Sequence, residues 1–366
     1  MEDVYEELVR WYLRFNGYLC VENFVVHEPD ASAQTVPQGA EIDTLAVRFP
    51  FSNEVIAATP QKHVLHDPRL ECPSPRHIDC IIAEIKGGER IRLNSIWREQ
   101  TEQARRRVQY IVRWLGCIED EQRLTQISAD LQTNLHVEEG PYFFRVILFA
   151  RRSAPQNLPP GITVITFEDI ARFFVTSRAN CWQELGIGTR SRHPQWSDLI
   201  NELWSLAGPE NPADADCKVQ QMLACLDRMH ARRQVETSMA NAVRKLTHSE
   251  LYPFDENLRA ALPTEHGLYI IYDCAANGEI SPIRAGRTKS ATGGLRQRVY
   301  ANHFMGDQNG NLRQQLISDG VCADLESAKA WVKSRCRVRF LAVANDVDRR
   351  WLEHYMLSVV RPRYCD

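Results

Sequence analysis

Near the start of the chain, Val4, Leu8, Trp11 and Phe15 in "VYEELVRWYLRFNGY" recur at helical intervals, and Gly17 stands where the helix should stop. "AEIDTLAVRF" then predicts a strand, and a stretch over 51–77 with four prolines predicts a loop. "HIDCIIAEIKGG" is a nearly continuous apolar run and predicts a buried strand. "SIWREQTEQARRRVQYIVRWLG" has the period of one long amphipathic helix ending at Gly116. "YFFRVILFA" predicts another strand, and "ITVITFEDIARFF" a strand running into a helix. Residues 1–175 thus form an α/β module of ordinary domain size.

The pattern changes over 176–250. "HPQWSDLINELWSLAG" and "DADCKVQQMLACLDRMHARRQVETSMANAVRKL" are helical in period and are separated by "GPENPAD", so a helical connector is expected. Its basic residues could meet phosphates or line a solvated face. A small α/β module is expected over 251–366. Strands "HGLYIIYD" and "SPIRAGRT" flank the turn "CAANG"; helix "GGLRQRVYANHF", strand "RVRFLAVA" and helix "DRRWLEHYMLSVV" follow.

Bulk properties narrow the function. A chain of 366 residues exceeds one ordinary core and predicts several domains. The formal net charge of -3 means that a polyanion must be met by local patches, such as 105–107, 231–233 and 284–289. The first residues hold no basic and apolar signal segment, and no apolar run reaches membrane-spanning length, so no membrane is expected. The 11 cysteines are scattered singly, which suits a reducing cytoplasm.

The chemistry is concentrated in two places. The first is "IIAEIKGG", where Glu84 and Lys86 share one face of a greasy strand. With Asp43 on a neighbouring strand, two carboxylates and one lysine converge at a sheet edge. Two carboxylates suit Mg²⁺, with Mn²⁺ the alternative ion, and a lysine beside them can orient a water or offset phosphate charge. An ion pair where the strand leaves the core is the competing reading. Asp79 is a rival to Asp43, but it lies five residues from Glu84 on one strand and so faces the other way. His63, His66, Cys72, His77 and Cys80 are zinc-type donors, although their spacings match no common zinc module.

A helix glutamate (Glu6 or, second, Glu7), then Asp43, then Glu84-x-Lys86 resembles the PD-(D/E)xK nuclease superfamily over 1–175. The resemblance implies a restriction-endonuclease-like mixed sheet flanked by helices, with Glu6, Asp43 and Glu84 as metal ligands and Lys86 as the catalytic lysine. The second place resembles a GIY-YIG nuclease domain. Gly267-Leu268-Tyr269 stands at GIY and Arg284-Ala285-Gly286 at YIG, with Arg284 where the family has tyrosine. Thr288 and Leu295 lead to Arg298, with Arg296 the alternative and His303 nearby. Glu353 stands at the metal-binding glutamate, and Cys365 replaces the asparagine common at the end. That resemblance implies roles for Tyr269 in activating water, Arg284 and Arg298 on phosphate, and Glu353 on a metal.

Together the resemblances imply a cytoplasmic, Mg²⁺-dependent endonuclease with two modules, acting on DNA in restriction or antiviral defence. RNA as substrate and a homo-oligomer are compatible with it. A repair or recombination nuclease, or a DNA-binding protein with one inactive module, is the alternative.

Overall fold

The structure, a computed structural model, describes residues 3–25, 41–52, 66–88, 91–151, 158–179, 196–208, 211, 213–275, 278–289, 293–306 and 311–365. The chain divides into two compact units, Met1–Arg233 and Gln234–Asp366. Both are α/β.

In the first unit, helix α1 (Val4–Phe15) is capped by Asp3, whose carboxylate accepts the Tyr5 amide. Strands β1 (Leu19–Val25), β2 (Glu41–Arg48) and β3 (Ile78–Lys86) pair antiparallel in that order. Helices α2 (Ser95–Arg98), α3 (Glu102–Trp114) and α4 (Glu121–Asn134) cross to β4 (His136–Glu139) and β5 (Tyr142–Ala150). Strand β5 runs parallel to β3; along its other side it pairs first with β4 and then with β6 (Thr163–Thr166). Helices α5 (Phe167–Phe173), α6 (Asp198–Ala207) and the long α7 (Ala215–His248) follow.

The strand periodicity sorts the core into two layers. Ile81, Ala83 and Ile85 of β3 face α1, α5, α6 and the first turns of α7. Cys80 and Ile82 face α2, α3 and α4. This is a mixed sheet flanked by helices, as the sequence predicts.

Several details differ from the sequence reading. Strand β1 was not foreseen, because Glu22 and Asn23 interrupt its apolar pattern; an edge strand tolerates them. The single helix expected over 95–116 is two, since the backbone is extended at Glu99 and Thr101 and Thr101 caps α3 anew. The segment 176–250 is not a separate connector. Leu199, Leu203, Val219, Met222 and Leu226 lie in the core of the first unit, and Val243 and Leu246 in that of the second.

The second unit has a sheet ordered β11-β9-β8-β10-β7. Its strands are β7 (Tyr252–Pro253), β8 (Gly267–Cys274), β9 (Ile280–Arg287), β10 (Cys336–Ala342) and β11 (Tyr364–Cys365). A short helix α8 (Leu258–Ala261) precedes β8. A π-helical segment (Arg296–Met305), α9 (Leu312–Ser318) and α10 (Leu325–Arg335) cover one face. Helix α11 (Asp346–Val360) and the last turns of α7 cover the other. The expected helix over "GGLRQRVYANHF" is therefore π-helical, and α9 and α10 are additions to the reading. Gly267 is required by packing: a Cβ there would lie 2.1 Å from the Leu341 carbonyl oxygen of β10.

At the N-terminal end of β3, Asp79 is buried and fully engaged. Arg145 of β5 grips both its oxygens, at 3.1 Å through Nε and 2.6 Å through Nη2. Tyr18 donates its hydroxyl to Oδ2, and Arg48 stands 3.6 Å away. Burial first, and the Asp79 charge second, push the Tyr18 phenol well above its ordinary range. Arg48 also touches His66, Nη1 to Nδ1 at 3.3 Å. Burial, then the Arg48 and Arg178 charges, push His66 down to about 4.

Two outcomes follow. Asp79→Ala leaves Arg145 buried without its counter-charge and should cost ~3–5 kcal/mol in urea unfolding. The unfolded chain protonates His66 near pH ~6.5, before the folded chain does, so its contribution is complete above that value and lost as pH falls towards about 4. The urea midpoint of the native chain should thus drop more between about pH 7 and about pH 5 than that of His66→Gln.

Candidate active site

The C-terminal end of β3 is a buried run that finishes in a charge. Glu84 has 0% exposure, although no buried carboxylate is stable without partners. Its Oε1 accepts from Asn94 Nδ2 and from Trp97 Nε1, both at 2.9 Å. Its Oε2 lies 3.0 Å from Lys86 Nζ, an ion pair. Among the described residues Oε2 accepts no hydrogen bond.

Strands β2 and β3 pair from Arg48 opposite Asp79 to Thr44 opposite Ala83. One step further the Asp43 carboxylate takes over, accepting the Ile85 amide at 2.6 Å and standing 3.6 Å from Lys86 Nζ. Asp43, Glu84 and Lys86 thereby converge as the sequence predicts, while Asp79 is spent on Arg145.

The charges are uneven. Burial pushes the Glu84 carboxyl above its usual range, the Lys86 charge pulls it back in part, and Asp43 raises it again. Burial works against the Lys86 ammonium, but the Glu84 and Asp43 charges outweigh it and raise the lysine. The asymmetry follows from depth: Lys86 keeps 19% of its side chain exposed and Glu84 none.

Helix α1 reaches the same strand end. A Cβ on Gly87 would lie 2.2 Å from the Tyr5 ring, so only glycine admits that approach. Tyr5 stacks on Phe167 at 4.7 Å and donates to Asp227 of α7 at 3.0 Å. Glu6 lies in the first turn of α1, and Glu7 is buried against Arg233 at 2.5 Å. Among the described residues no three His, Cys, Asp or Glu side chains group as a metal site. Two carboxylates, one with a buried oxygen that accepts no hydrogen bond among the described residues, suit Mg²⁺, which keeps several waters.

The zinc-type donors scatter. His63 lies outside the described residues, His66 meets Arg48, and His77 pairs with Glu138 at 3.1 Å.

In the second unit the predicted residues separate. Tyr269 of β8 is opposite Gly286 of β9 and is wholly buried among Leu295, Val299 and Phe304. Its hydroxyl lies 2.7 Å from His303 Nε2. The Leu312 amide donates to His303 Nδ1 at 3.3 Å, which assigns the proton of the neutral ring to Nε2, pointing at the tyrosine oxygen. Arg284 is buried on that face and donates to Gln315 of α9. Arg298 is half-buried in the π-helical segment.

Glu353 of α11 belongs to the other face. Its oxygens accept from the Arg287 amide at 3.1 Å and from Arg287 Nε at 2.8 Å. Arg287 is opposite Leu268, and paired residues share a face, so Glu353 and Tyr269 are divided by the sheet. Arg287, Asn94 and Trp97 were missed as site residues. Arg287 lies in the basic patch 284–289, and Trp97 lies in the amphipathic run "SIWREQ", where a buried indole N–H needs an acceptor.

Compared with protein-family models, curated proteins and solved structures, the chain gives no match. Among the described residues no helix is long and apolar enough to cross a membrane.

The Glu353–Arg287 pair is measurable. Arg287→Ala and Glu353→Ala should each destabilise the chain, and the double variant should lose less than their sum, with a coupling of about 1–2 kcal/mol in urea unfolding.

Proposed function

We propose that the first unit is a metal-dependent nuclease that hydrolyses DNA phosphodiester bonds, on a restriction-endonuclease-like fold. The observation that carries this reading is the convergence of Asp43, Glu84 and Lys86 at the C-terminal end of β3, with Glu84 Oε2 buried and accepting no hydrogen bond among the described residues. Asp43 and Glu84 would hold Mg²⁺. When bound, such an ion neutralises phosphate charge and lowers the pKa of a water. Lys86 is held charged between the two carboxylates. From there it orients the attacking water and offsets charge developing on the phosphate. The Asp43 bond to the Ile85 amide fixes one ligand on the sheet, so the pair is preorganised before substrate arrives.

For the second unit we propose DNA binding without cleavage. Glu353 is engaged by Arg287 through both oxygens, and Tyr269 is buried on the opposite face from it. This favours the reading in which one module retains the fold and not the reaction.

The test is cleavage of supercoiled plasmid with and without Mg²⁺. Asp43→Ala, Glu84→Gln and Lys86→Ala should each slow cleavage by about 10²-fold or more. Glu353→Ala and Tyr269→Phe should leave the rate within about twofold, since both lie in the second unit. Loss of cleavage in Glu353→Ala, with full activity in Lys86→Ala, would assign the reaction to the second unit and overturn the proposal.

A further inference from the structure

The buried end of β3 carries more than a pair of ligands. A carboxylate oxygen has room for about two donors. Glu84 Oε1 has both, the Asn94 amide and the Trp97 indole at 2.9 Å each. Oε2 accepts no hydrogen bond among the described residues and faces the Lys86 ammonium at 3.0 Å, a mobile charge that leaves it open to a cation.

The donors are held in place. Trp97 is 2% exposed and packs with Ile82, Leu93 and Ile96. The four-residue helix that carries it is too short to hold itself. Gln132 of α4 pins it instead, donating to the Ile96 and Glu99 carbonyls at 3.0 and 2.9 Å.

We infer that Trp97 and Asn94 are positioning residues that set how Glu84 meets a cation: with Oε1 filled, only Oε2 is offered, and the carboxylate binds through one oxygen. This rests on the metal-dependent reading above. The consequence is ion selection. Ca²⁺ takes six to eight oxygens and accepts both oxygens of one carboxylate, whereas Mg²⁺ demands a compact octahedron and takes single oxygens and waters. A Glu84 restricted to one oxygen favours Mg²⁺. Freeing Oε1 permits two-oxygen chelation and shifts preference towards Ca²⁺.

The experiment is calorimetric titration of the full chain with MgCl₂ and with CaCl₂, for native protein, Trp97→Phe, Asn94→Ala and Glu84→Gln. Trp97→Phe retains an aromatic ring; Asn94→Ala tests the same oxygen without touching the core, should the first variant fold poorly. Each should weaken Mg²⁺ binding by about tenfold and move the Mg²⁺-to-Ca²⁺ affinity ratio towards Ca²⁺. Glu84→Gln should remove Mg²⁺ binding.

A second readout needs no cleavage. The indole N–H resonance missing from Trp97→Phe identifies the Trp97 signal in ¹⁵N-labelled native protein, and it should shift on addition of MgCl₂. Unchanged Mg²⁺ affinity and an unchanged ion ratio in both folded variants would overturn the inference while leaving the nuclease reading intact. Mg²⁺ binding that survives Glu84→Gln unaltered would overturn the nuclease reading itself.

Discussion

A carboxylate with no exposure, at the end of the central strand, sets the terms for much of the first unit. Removing an ionised group from water is costly unless hydrogen bonds and opposite charge replace the lost solvent. Around Glu84 that requirement accounts for a sequence of otherwise unrelated features. A lysine stands two residues on, an asparagine and a tryptophan reach in from a four-residue helix, and a buried glutamine ties that helix to α4. At Oε2 the compensation is the Lys86 ammonium at 3.0 Å, with no hydrogen bond accepted among the described residues.

Strand β3 provides its own comparison. Asp79, at its other end, is equally enclosed, yet Arg145 covers both oxygens and Tyr18 adds a third donor. Two buried acids on one strand thus have opposite fates. One is closed by a guanidinium fork from the neighbouring strand; the other is bounded by neutral donors on one side and a flexible ammonium on the other. A guanidinium fork fixes a carboxylate in two places at once, whereas an ammonium leaves its partner able to accept another ligand.

The apolar strands β3 and β5, the helix α1 and the acid–acid–lysine cluster were legible because each rests on local pattern: a continuous run, a helical interval, or alternation along a strand. The edge strand β1 was not, since Glu22 and Asn23 carry no signal of burial. Helix α4 was legible in principle. Leu124, Ile127 and Leu131 have the right spacing, and Asp120 caps the first turn. The separation of Tyr269 from Glu353 could not be read from order along the chain. It depends on which residues of β8 and β9 stand opposite each other, and the register shift between Ile271 and Tyr272 shows how finely that is set. The partners of Glu84 were hidden for a different reason: Trp97 looked like core and is core, and its one polar atom acts as a ligand to an acid on another element.

The parallel pairing of β3 with β5 also has a consequence for a chain still being synthesised. Strands β1, β2 and β3 pair antiparallel with near neighbours and can associate as soon as they emerge. Parallel partners need a long crossover, here the stretch containing α2, α3 and α4. Until that stretch and β5 are synthesised, the Glu84 side of β3 stays wet. The acid is therefore dehydrated only when the elements bearing Trp97, Asn94 and Gln132 are there to receive it. In a growing chain the nascent sheet carries a hydrated carboxylate on its unfinished edge, and charge on an open edge opposes its pairing with other chains.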